Sequence, residues 1–226
     1  RRTSRLPFQG PLHREEFQQI TQQYPRLKTQ LKFLDSNLAA LRTLAKDALA
    51  MEMRTERTAE ESRGWFRANE REIATSADGI NLPASGVTGL KRWALETFVD
   101  LKSKEEWYSE RTFTSVMQGF ERSLESTTSF LALVSHSNGP LDWVQSGRDC
   151  LLLQLAAFEK GVYFHPLSQA LQEFPEVAPF QAALNEMLGV RGTEKIQMLV
   201  RAGRSEKPWK SHRRDLRSFA IGEGLR

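Results

Sequence analysis

The spacing of apolar residues along the chain predicts a fold in which helices predominate. Asp35 and Ser36 provide N-cap chemistry for a long helix, whose apolar residues recur on one stripe from Leu38 to Met53. Further helices are predicted, in chain order, over Arg14–Tyr24, Glu52–Arg63, Leu90–Val99, Glu110–Phe120 and Glu176–Leu188.

The clearest helix is predicted over Leu141–Lys160. Pro140 stands at the favoured first helical position, and Gly161 stands where helices commonly stop. From Cys150 onward, apolar residues cover most of the circumference, which is typical of a helix buried in a core. Gly147 lies inside this helix at a cost of about 1 kcal/mol relative to alanine, so we expect it to mark a close packing contact.

Three segments have the pattern of strands. They are Leu31–Leu34, the β-branched and aromatic run Thr127–Val134, and Lys195–Ala202, where apolar and polar residues alternate as in a half-buried strand. A few separated strands among many helices indicate an α+β fold. Residues Thr75–Gly89 show little periodicity and are long for a plain connection, which indicates a lid or flap.

The composition is that of an ordinary globular protein. Of 226 residues, 39% are hydrophobic and 27% charged, and no window approaches the ~20 apolar residues of a membrane-spanning helix, so no membrane partner is expected. The single cysteine, Cys150, excludes an intramolecular disulfide and suits a reducing, cytoplasmic location. Arg1-Arg2 is not followed by the apolar region of an export signal, although such a signal could lie upstream.

The charge is unevenly distributed along the chain. The net charge is +4, yet residues 191–226 hold ten Lys and Arg against four Asp and Glu. A basic end on a near-neutral body favours a discrete anion, such as a phosphate, over an extended nucleic-acid surface. The alternative is a solvated basic tail.

The sequence lacks the usual catalytic and metal-binding patterns. It has no Walker loop, no nucleophile elbow and no dinucleotide-binding glycine motif, and its four histidines lack metal-ligand spacing. We therefore expect no metal site and no catalytic side chain. The basic stretch Arg204–Arg217, interleaved with Trp209, has no recognition module beside it, so nucleic acid is not the expected partner.

Three segments remain as candidate binding elements. Residues 1–5 offer guanidinium forks and a hydroxyl, which suit bidentate recognition of a phosphate. Gly161–Gln169 follows the predicted buried helix and offers free backbone amides beside apolar side chains. Gly203-Arg204 ends a strand and leads to a second basic cluster, Ser211–Leu216. Each segment alone is also typical of a turn, a helix cap or solvated charge.

Together, in this order and spacing, the segments resemble the FMN-dependent nitroreductase superfamily. Its members open with an R-R-S-x-R phosphate motif, and Thr3 stands here in place of the serine. Their central helix ends in G-L-x-x-x-P-I/L-x-G, similar to Gly161–Gln169, and their K/R-x-R-x-P-L-like ending is similar to Ser211–Leu216. The likeness is closer to the Acg-like branch, through R-R-T-x-R-x-P-F, D-W-x-x-x-G-R and the strand Ile196–Leu199. Residues 30–125 match loosely.

The resemblance implies a nitroreductase-like fold, with a central, mostly antiparallel sheet surrounded by helices, and FMN as the cofactor. The residues that would hold the phosphate and ribityl chain are Arg1, Arg2, Thr3, Arg5, Ser211, Arg213 and Arg214. Those that would lie against the isoalloxazine ring or its N5 edge are Pro166, Leu167, Ser168 and Gln169. The Ser168 backbone amide would be the group nearest N5.

Two features depart from the family pattern. The asparagine-containing segment that grips the flavin's pyrimidine edge is not found, and Gln169 replaces a usual glycine. Acg-like chains carry two nitroreductase-like halves, so residues 1–226 would be one FMN-binding domain that lacks an N-terminal half. The second half-site would then come from a homodimer partner or from sequence upstream of Arg1.

The resemblance implies an oxidoreductase that passes hydride from NAD(P)H through flavin N5 to a small aromatic acceptor, nitro- or quinone-like. The alternative is a non-catalytic flavin-binding protein, in which the flap and the charged helices before it shut out a second substrate. A third hypothesis is a helical interaction or nucleic-acid module without a cofactor.

Overall fold

The computed structural model describes residues 3–219, so that Arg1, Arg2 and residues 220–226 lie outside the described part of the chain. The helices of this part are α1 Arg14–Gln22, α2 Leu38–Arg54, α3 Glu56–Trp65, α4 Glu70–Ser76, α5 Gly89–Phe98, α6 Lys104–Trp107, α7 Glu110–Glu125, α8 Pro140–Glu159 and α9 Ala178–Leu188. None of these helices has the length and apolarity that crossing a membrane requires.

The strands form one central sheet and one small pair. They are β1 Gln30–Leu34, β2 Phe66–Arg67, β3 Ile80–Asn81, β4 Phe130–Ser135, β5 Val162–Pro166 and β6 Lys195–Arg204. The central sheet has the order β1-β4-β6-β5, and each neighbouring pair in it is antiparallel. Strands β2 and β3 pair in parallel, apart from it. The predicted α+β class with a mostly antiparallel central sheet is confirmed.

Helices cover the central sheet on both faces, and β4 is buried at every position. Successive residues of a strand point to opposite faces. Phe130 and Val134 therefore enter a core cluster with α2 and α9. Leu131 and Leu133 enter a second cluster with α1 and α8. Burial of each such side chain contributes about 1.5–3 kcal/mol, so the three-layer arrangement follows from the apolar pattern of one strand.

Most predicted helices are confirmed to within a few residues at their ends. The exception is the charged helix expected over Glu52–Arg63, which is divided. Helix α2 ends at Arg54, and Thr55 has an extended backbone, with φ −88° and ψ 112°, before α3 begins. The change of direction separates the buried part of α2 from the charged helix that follows.

Helix α8 is not buried all round, so that prediction was wrong. Leu153 and Ala156 face the core, where they are almost completely buried. An opposite line of apolar side chains, here called the α8 stripe, is exposed: Leu141 by 67%, Val144 by 71%, Leu151 by 40% and Leu155 by 38%. The sheet meets only one side of the helix, and the apolar composition did not reveal which.

The close packing expected at Gly147 is also absent, because a Cβ atom there would meet nothing within 4 Å. A tight glycine lies instead at Gly203 in β6. A Cβ atom at this position would lie 2.6 Å from the ring of Phe8 and 3.0 Å from the carbonyl oxygen of Gly10. The N-terminal segment can therefore lie against the sheet only because position 203 lacks a side chain.

The predicted flap Thr75–Gly89 has local structure of its own. It contains the end of α4, strand β3 and a 3-10 turn at Pro83–Ser85. Gly86 has a φ of +83° and lies against Leu6 so closely that a Cβ atom would be 2.2 Å from the Cδ2 atom of that leucine. The segment thus packs on the N-terminal residues. Its role as a lid stays a prediction.

Candidate functional site

The N-terminal segment lies along one end of the central sheet. Thr3 forms a parallel bridge with Phe164 of β5, and Gly10 forms an antiparallel bridge with Arg204 of β6. The Arg204 N–H donates to the Gly10 carbonyl oxygen at 2.8 Å. These backbone contacts bring the first predicted segment beside the start of the second, which runs through Gln169.

A buried guanidinium, that of Arg201 on β6, holds this segment in place. Its side chain is completely buried, and its nitrogens donate to the carbonyl oxygens of Ser123 at 2.9 Å, Leu6 at 2.8 Å and Ser4 at 3.2 Å. The guanidinium carbon also lies 4.3 Å from the ring centre of Phe8. Among residues 3–219 no carboxylate pairs with Arg201, so carbonyl dipoles and an aromatic face stabilise the charge.

His165 completes the environment of this cation. The Arg201 Nε–H donates to His165 Nδ1 at 2.9 Å, so the geometry assigns the imidazole proton to Nε2. Burial, followed by the positive charges of Arg201 and Arg5, holds the pKa of His165 well below its usual value. Burial also lowers the pKa of Arg201 to about 9, which leaves it charged at neutral pH.

Sequence reasoning missed Arg201. The alternation along β6 placed it on the polar side of a half-buried strand, whereas the structure covers both faces of β6 from Leu199 to Gly203. The sequence did contain a sign that this end of β6 is buried. A glycine inside a strand, here Gly203 among apolar residues, often marks a place where another backbone segment approaches closely.

Arg5 is the candidate anion ligand that the structure leaves free. Its side chain is half-buried, and burial lowers its pKa. The Arg5 carbonyl oxygen accepts from the Ser123 hydroxyl at 2.8 Å, but within residues 3–219 the guanidinium has no hydrogen-bond or ion-pair partner. The positive charge of Arg5 helps to lower the pKa of His165, so Arg5 lies near the start of the predicted ring-binding loop. A half-buried guanidinium without a counterion, close to a second one, favours a bound anion.

The predicted ring loop, Pro166–Gln169, begins with the last residue of β5, since Pro166 still pairs with Val200 of β6. The Leu167 N–H donates to the Leu199 carbonyl oxygen at 2.8 Å, and its side chain, 2% exposed, belongs to the core cluster with α2 and α9. Leu167 therefore has almost no surface for a ring, and the expected contact does not fit this conformation. Pro166 and Gln169 are half-buried and Ser168 is exposed, so these three offer the accessible part of the loop.

The third predicted segment lies elsewhere. Arg214 forms an ion pair with Asp78, which also accepts from Arg67 at 2.8 Å. Arg213 donates to the carbonyl oxygen of its neighbour His212 at 2.8 Å. In the described part of the chain, no hydrogen bond or ion pair joins these arginines to Thr3 or Arg5. The guanidinium of Arg214 is thus already occupied.

A cavity of about 330 Å³ lies between this segment and the turn that follows α4. Residues of the predicted cluster that line it are Ser211, Arg213 and Arg214. Asp78 and Asn81 contribute from the flap. The structure therefore separates the predicted phosphate residues into two places, one at Arg5 and one at this cavity, and Arg1 and Arg2 lie outside the described residues.

Groups of three or more His, Cys, Asp or Glu side chains arranged to hold a metal ion are absent from residues 3–219.

No model of a known protein family and no curated protein sequence matches the chain. Solved structures match its fold. The FMN- and NADPH-dependent nitroreductase NfnB from Sphigopyxis sp. strain HMH is 15% identical, with a TM-score of 0.60 over 100% of this chain and 96% of that one. The FMN-dependent nitroreductase NfnB from Mycobacterium smegmatis, solved with NADPH, is 13% identical, with a TM-score of 0.55 over 99% and 94%.

A nitroreductase-like family protein from Bacillus cereus is also similar, at 14% identity and a TM-score of 0.50 over 99% of this chain and 92% of that one. At these identities the likeness concerns the fold. The chain has the fold of these nitroreductase structures, and the predicted nitroreductase-like architecture is confirmed. The narrower assignment to the Acg-like branch stays a prediction.

The low pKa of His165 predicts a pH-dependent loss of stability. The unfolded chain binds a proton on this residue near pH 6.5, whereas the folded chain does not, so stability falls as the pH drops below about 6.5. We expect the wild type to lose about 1 kcal/mol more than His165→Asn between about pH 7 and about pH 5.5. Urea unfolding at both pH values measures this difference. Asn retains an acceptor for Arg201, and equal losses in the two proteins would contradict the prediction.

Proposed function

We propose that the chain binds FMN and acts as an oxidoreductase that transfers hydride from NAD(P)H to a nitro- or quinone-like aromatic acceptor. The observation that carries the proposal is the half-buried guanidinium of Arg5, which has no partner within residues 3–219 and lies near the loop Pro166–Gln169, in a chain with the nitroreductase fold. Two of the three neighbours in fold, the NfnB proteins, are FMN-dependent nitroreductases, and one of these two was solved with NADPH.

The phosphate of FMN fits the N-terminal segment chemically. Arg5 supplies an unpaired guanidinium, and Thr3, fixed to β5 by its backbone, supplies a hydroxyl close by. Arg201 lies beneath them without a carboxylate partner in the described residues, so the pocket has a positive field. In this proposal Arg1 and Arg2 extend the same cluster.

The cluster Ser211–Arg214 is also proposed to contact the phosphate. Among the described residues Arg213 donates only to the carbonyl oxygen of its neighbour His212, so it can turn toward a phosphate, whereas Arg214 is held by Asp78. We therefore assign phosphate contact to Arg213 with Ser211, which lie apart from Arg5 in this conformation and would have to approach it when FMN binds. Arg214 would join them only by exchanging its carboxylate partner.

The ring would lie over the exposed part of the loop after β5. Bound FMN supplies the hydride-transfer chemistry, and the chain supplies position, charge and exclusion of water. The Ser168 amide would donate to the ring's polar edge, Pro166 would lie against its face, and Gln169 would reach the same edge. No side-chain acid or base is required.

Loss of the Arg5 charge should weaken FMN binding selectively. A charge-assisted hydrogen bond to phosphate contributes about 1.5–3 kcal/mol, so Arg5→Gln should raise the Kd for FMN about 10- to 100-fold. The Kd for riboflavin, which lacks the phosphate, should change little. Titration followed at the flavin absorption band, near ~450 nm, measures both constants.

Arg14→Gln is the matched control, because Arg14 pairs with Asp35 at the β1 edge, the edge of the sheet opposite β5. It should bind both flavins as the wild type does. If Arg5→Gln weakened FMN and riboflavin equally, Arg5 would not be a phosphate ligand, and a protein with no affinity for FMN would overturn the proposal as a whole.

The flap offers the observation that favours the alternative function, a flavin-binding protein without turnover. Asp78 links the flap to both Arg67 and Arg214, and Gly86 packs on Leu6. A flap held at two places could keep a second substrate from the ring.

Rapid mixing of the FMN-loaded protein with NADH or NADPH separates the two functions. For the oxidoreductase we expect the flavin absorption to bleach within the mixing experiment and to return when a quinone is added. Free FMN mixed with the same nicotinamide, which should bleach far more slowly, is the control. A bound flavin that keeps its colour with both nicotinamides would leave the sequestering protein as the function.

We also propose that the α8 stripe is the contact of a homodimer. Leu141, Val144, Leu151 and Leu155 form one apolar line along a helix of 20 residues, and a line of this kind can meet its own copy about a two-fold axis. The alternative, a second half within a longer chain, would cover the same surface.

A charge in the stripe should dissociate the dimer. Leu151→Glu places a carboxylate in the contact, and we expect light scattering after gel filtration to change from two chains to one. Leu90→Glu is the control, since Leu90 is 78% exposed but lies on α5, outside the stripe. A wild-type chain that is monomeric at every concentration tested would favour the second half-domain as the partner.

A further inference from the structure

The chain leaves the central sheet at the end of β6 and continues as a segment without helix or strand, Ser205–Arg214, here called the strap. The first residue of the strap is fixed beside the N-terminal segment, because the hydroxyls of Ser205 and Ser4 form a hydrogen bond of 2.8 Å. Ser4 is the neighbour of Arg5 along the chain. One end of the strap therefore lies close to the proposed phosphate ligand.

The other end of the strap is held on the flap by one carboxylate. Asp78 pairs with Arg214 through Oδ2, while its Oδ1 accepts from Arg67 at 2.8 Å. Hydrogen bonding by Arg67 is the main cause of a lowered pKa at Asp78, and Arg214 lowers it further, although burial opposes the shift. The carboxylate is therefore ionised at neutral pH. The side chain of Arg214 is 44% exposed, so a competing anion in solution can reach it.

Little else holds this end of the strap in place. From Trp209 to Arg214, no backbone group forms a hydrogen bond with another backbone group of residues 3–219. A second acid, Glu70, lies 4.0 Å from His212 through Oε1 and Nε2, which is the limit of an ion pair. The pair with Asp78 is the shorter of these two charged contacts and therefore the stronger.

The strap can move its far end because only its start is tied to the sheet. Ser211 is six residues beyond Ser205, and an extended chain spans about 3.3–3.6 Å per residue. Ser211 can therefore lie anywhere within about 20 Å of the fixed start, which adjoins Arg5 through Ser4. Arg213, two residues farther along, moves with it. The approach to Arg5 that the proposed function requires breaks no helix or strand.

We propose that Asp78 competes with the phosphate of FMN for the strap. The structure contains the arrangement in which Asp78 holds Arg214 and keeps the strap on the flap. With a phosphate at Arg5, Ser211 and Arg213 leave the flap for it, and the Asp78 pair breaks. The inference rests on the proposed function, because that function brings a phosphate to Arg5. The apparent affinity for FMN is then reduced by the fraction of molecules in which the strap is held.

Removal of the competing charge should tighten FMN binding, whereas damage to a binding site would weaken it. A partly exposed ion pair is weak, so we expect Asp78→Ser to lower the Kd for FMN about 3- to 5-fold. The Kd for riboflavin, which lacks the phosphate, should not change. Titration at the flavin absorption band measures both constants. Serine is chosen because asparagine before Gly79 would deamidate back to aspartate.

Two further variants show whether the effect passes through the strap. Asp35→Ser removes the same charge from an ion pair with Arg14 at the β1 edge and should leave both constants unchanged. In Arg214→Gln the strap has already lost its contact with Asp78, so Asp78→Ser added to that variant should change the Kd for FMN less than about 2-fold. A general effect of negative charge on the phosphate would instead persist there.

Trp209 reports the movement in the wild type, so the test does not depend on how well the variants fold. Its side chain lies on the strap and lines the cavity at the flap. We expect its indole N–H signal in two-dimensional NMR spectra to shift on saturation with FMN and to stay in place on saturation with riboflavin. Loss of the signal in Trp209→Phe identifies it.

The results separate this inference from the proposed function. If FMN bound and left the Trp209 signal in place, or if a folded Asp78→Ser bound FMN no more tightly than the wild type, the competition would be wrong and the proposed function would stand. If neither the wild type nor Asp78→Ser took up FMN, the proposed function would be wrong, and the competition with it.

Discussion

The rest of the structure depends on how the chain accommodates one buried cation, Arg201. A guanidinium inside a protein costs several kcal/mol unless hydrogen bonds compensate for its lost hydration. Here the compensation comes from the carbonyl oxygens of Ser4 and Leu6 and from Ser123 at the end of α7. The N-terminal segment must therefore lie across the sheet, and Gly203 leaves the space that it needs. The position of Arg5 beside the ring loop follows from the same requirement.

Local patterns predicted the elements of the fold well, because the periodic spacing of apolar residues in a helix or strand is visible in its own sequence. The spacing of apolar residues located α2, α5, α7 and α8 to within a few residues, and alternation located β6. The pattern could not show which side of α8 the sheet would meet, since every side was apolar. Nor could it show that Arg201 is buried, because alternation counts a charged residue as exposed.

The candidate site was predictable only as far as it is local in sequence. The motifs identified Thr3, Arg5 and the loop after β5, and the structure brings these together. The position of Arg214 depends on Asp78, a partner 136 residues away whose location no motif encodes. The accessibility of Leu167 likewise depends on core packing by α2 and α9, which a motif match does not contain.

The distance along the chain between Arg201 and the segment it holds has a consequence for biosynthesis. Leu6 and Arg201 are 195 residues apart, so the segment around Leu6 leaves the ribosome long before the strand that holds it. Contacts of such high sequence separation form slowly, because the long loop between them must close first. The nascent chain can complete its earlier helices and β4 first, but the segment Thr3–Gly10, and with it the surroundings of Arg5, acquires a fixed geometry only when β6 has been synthesised.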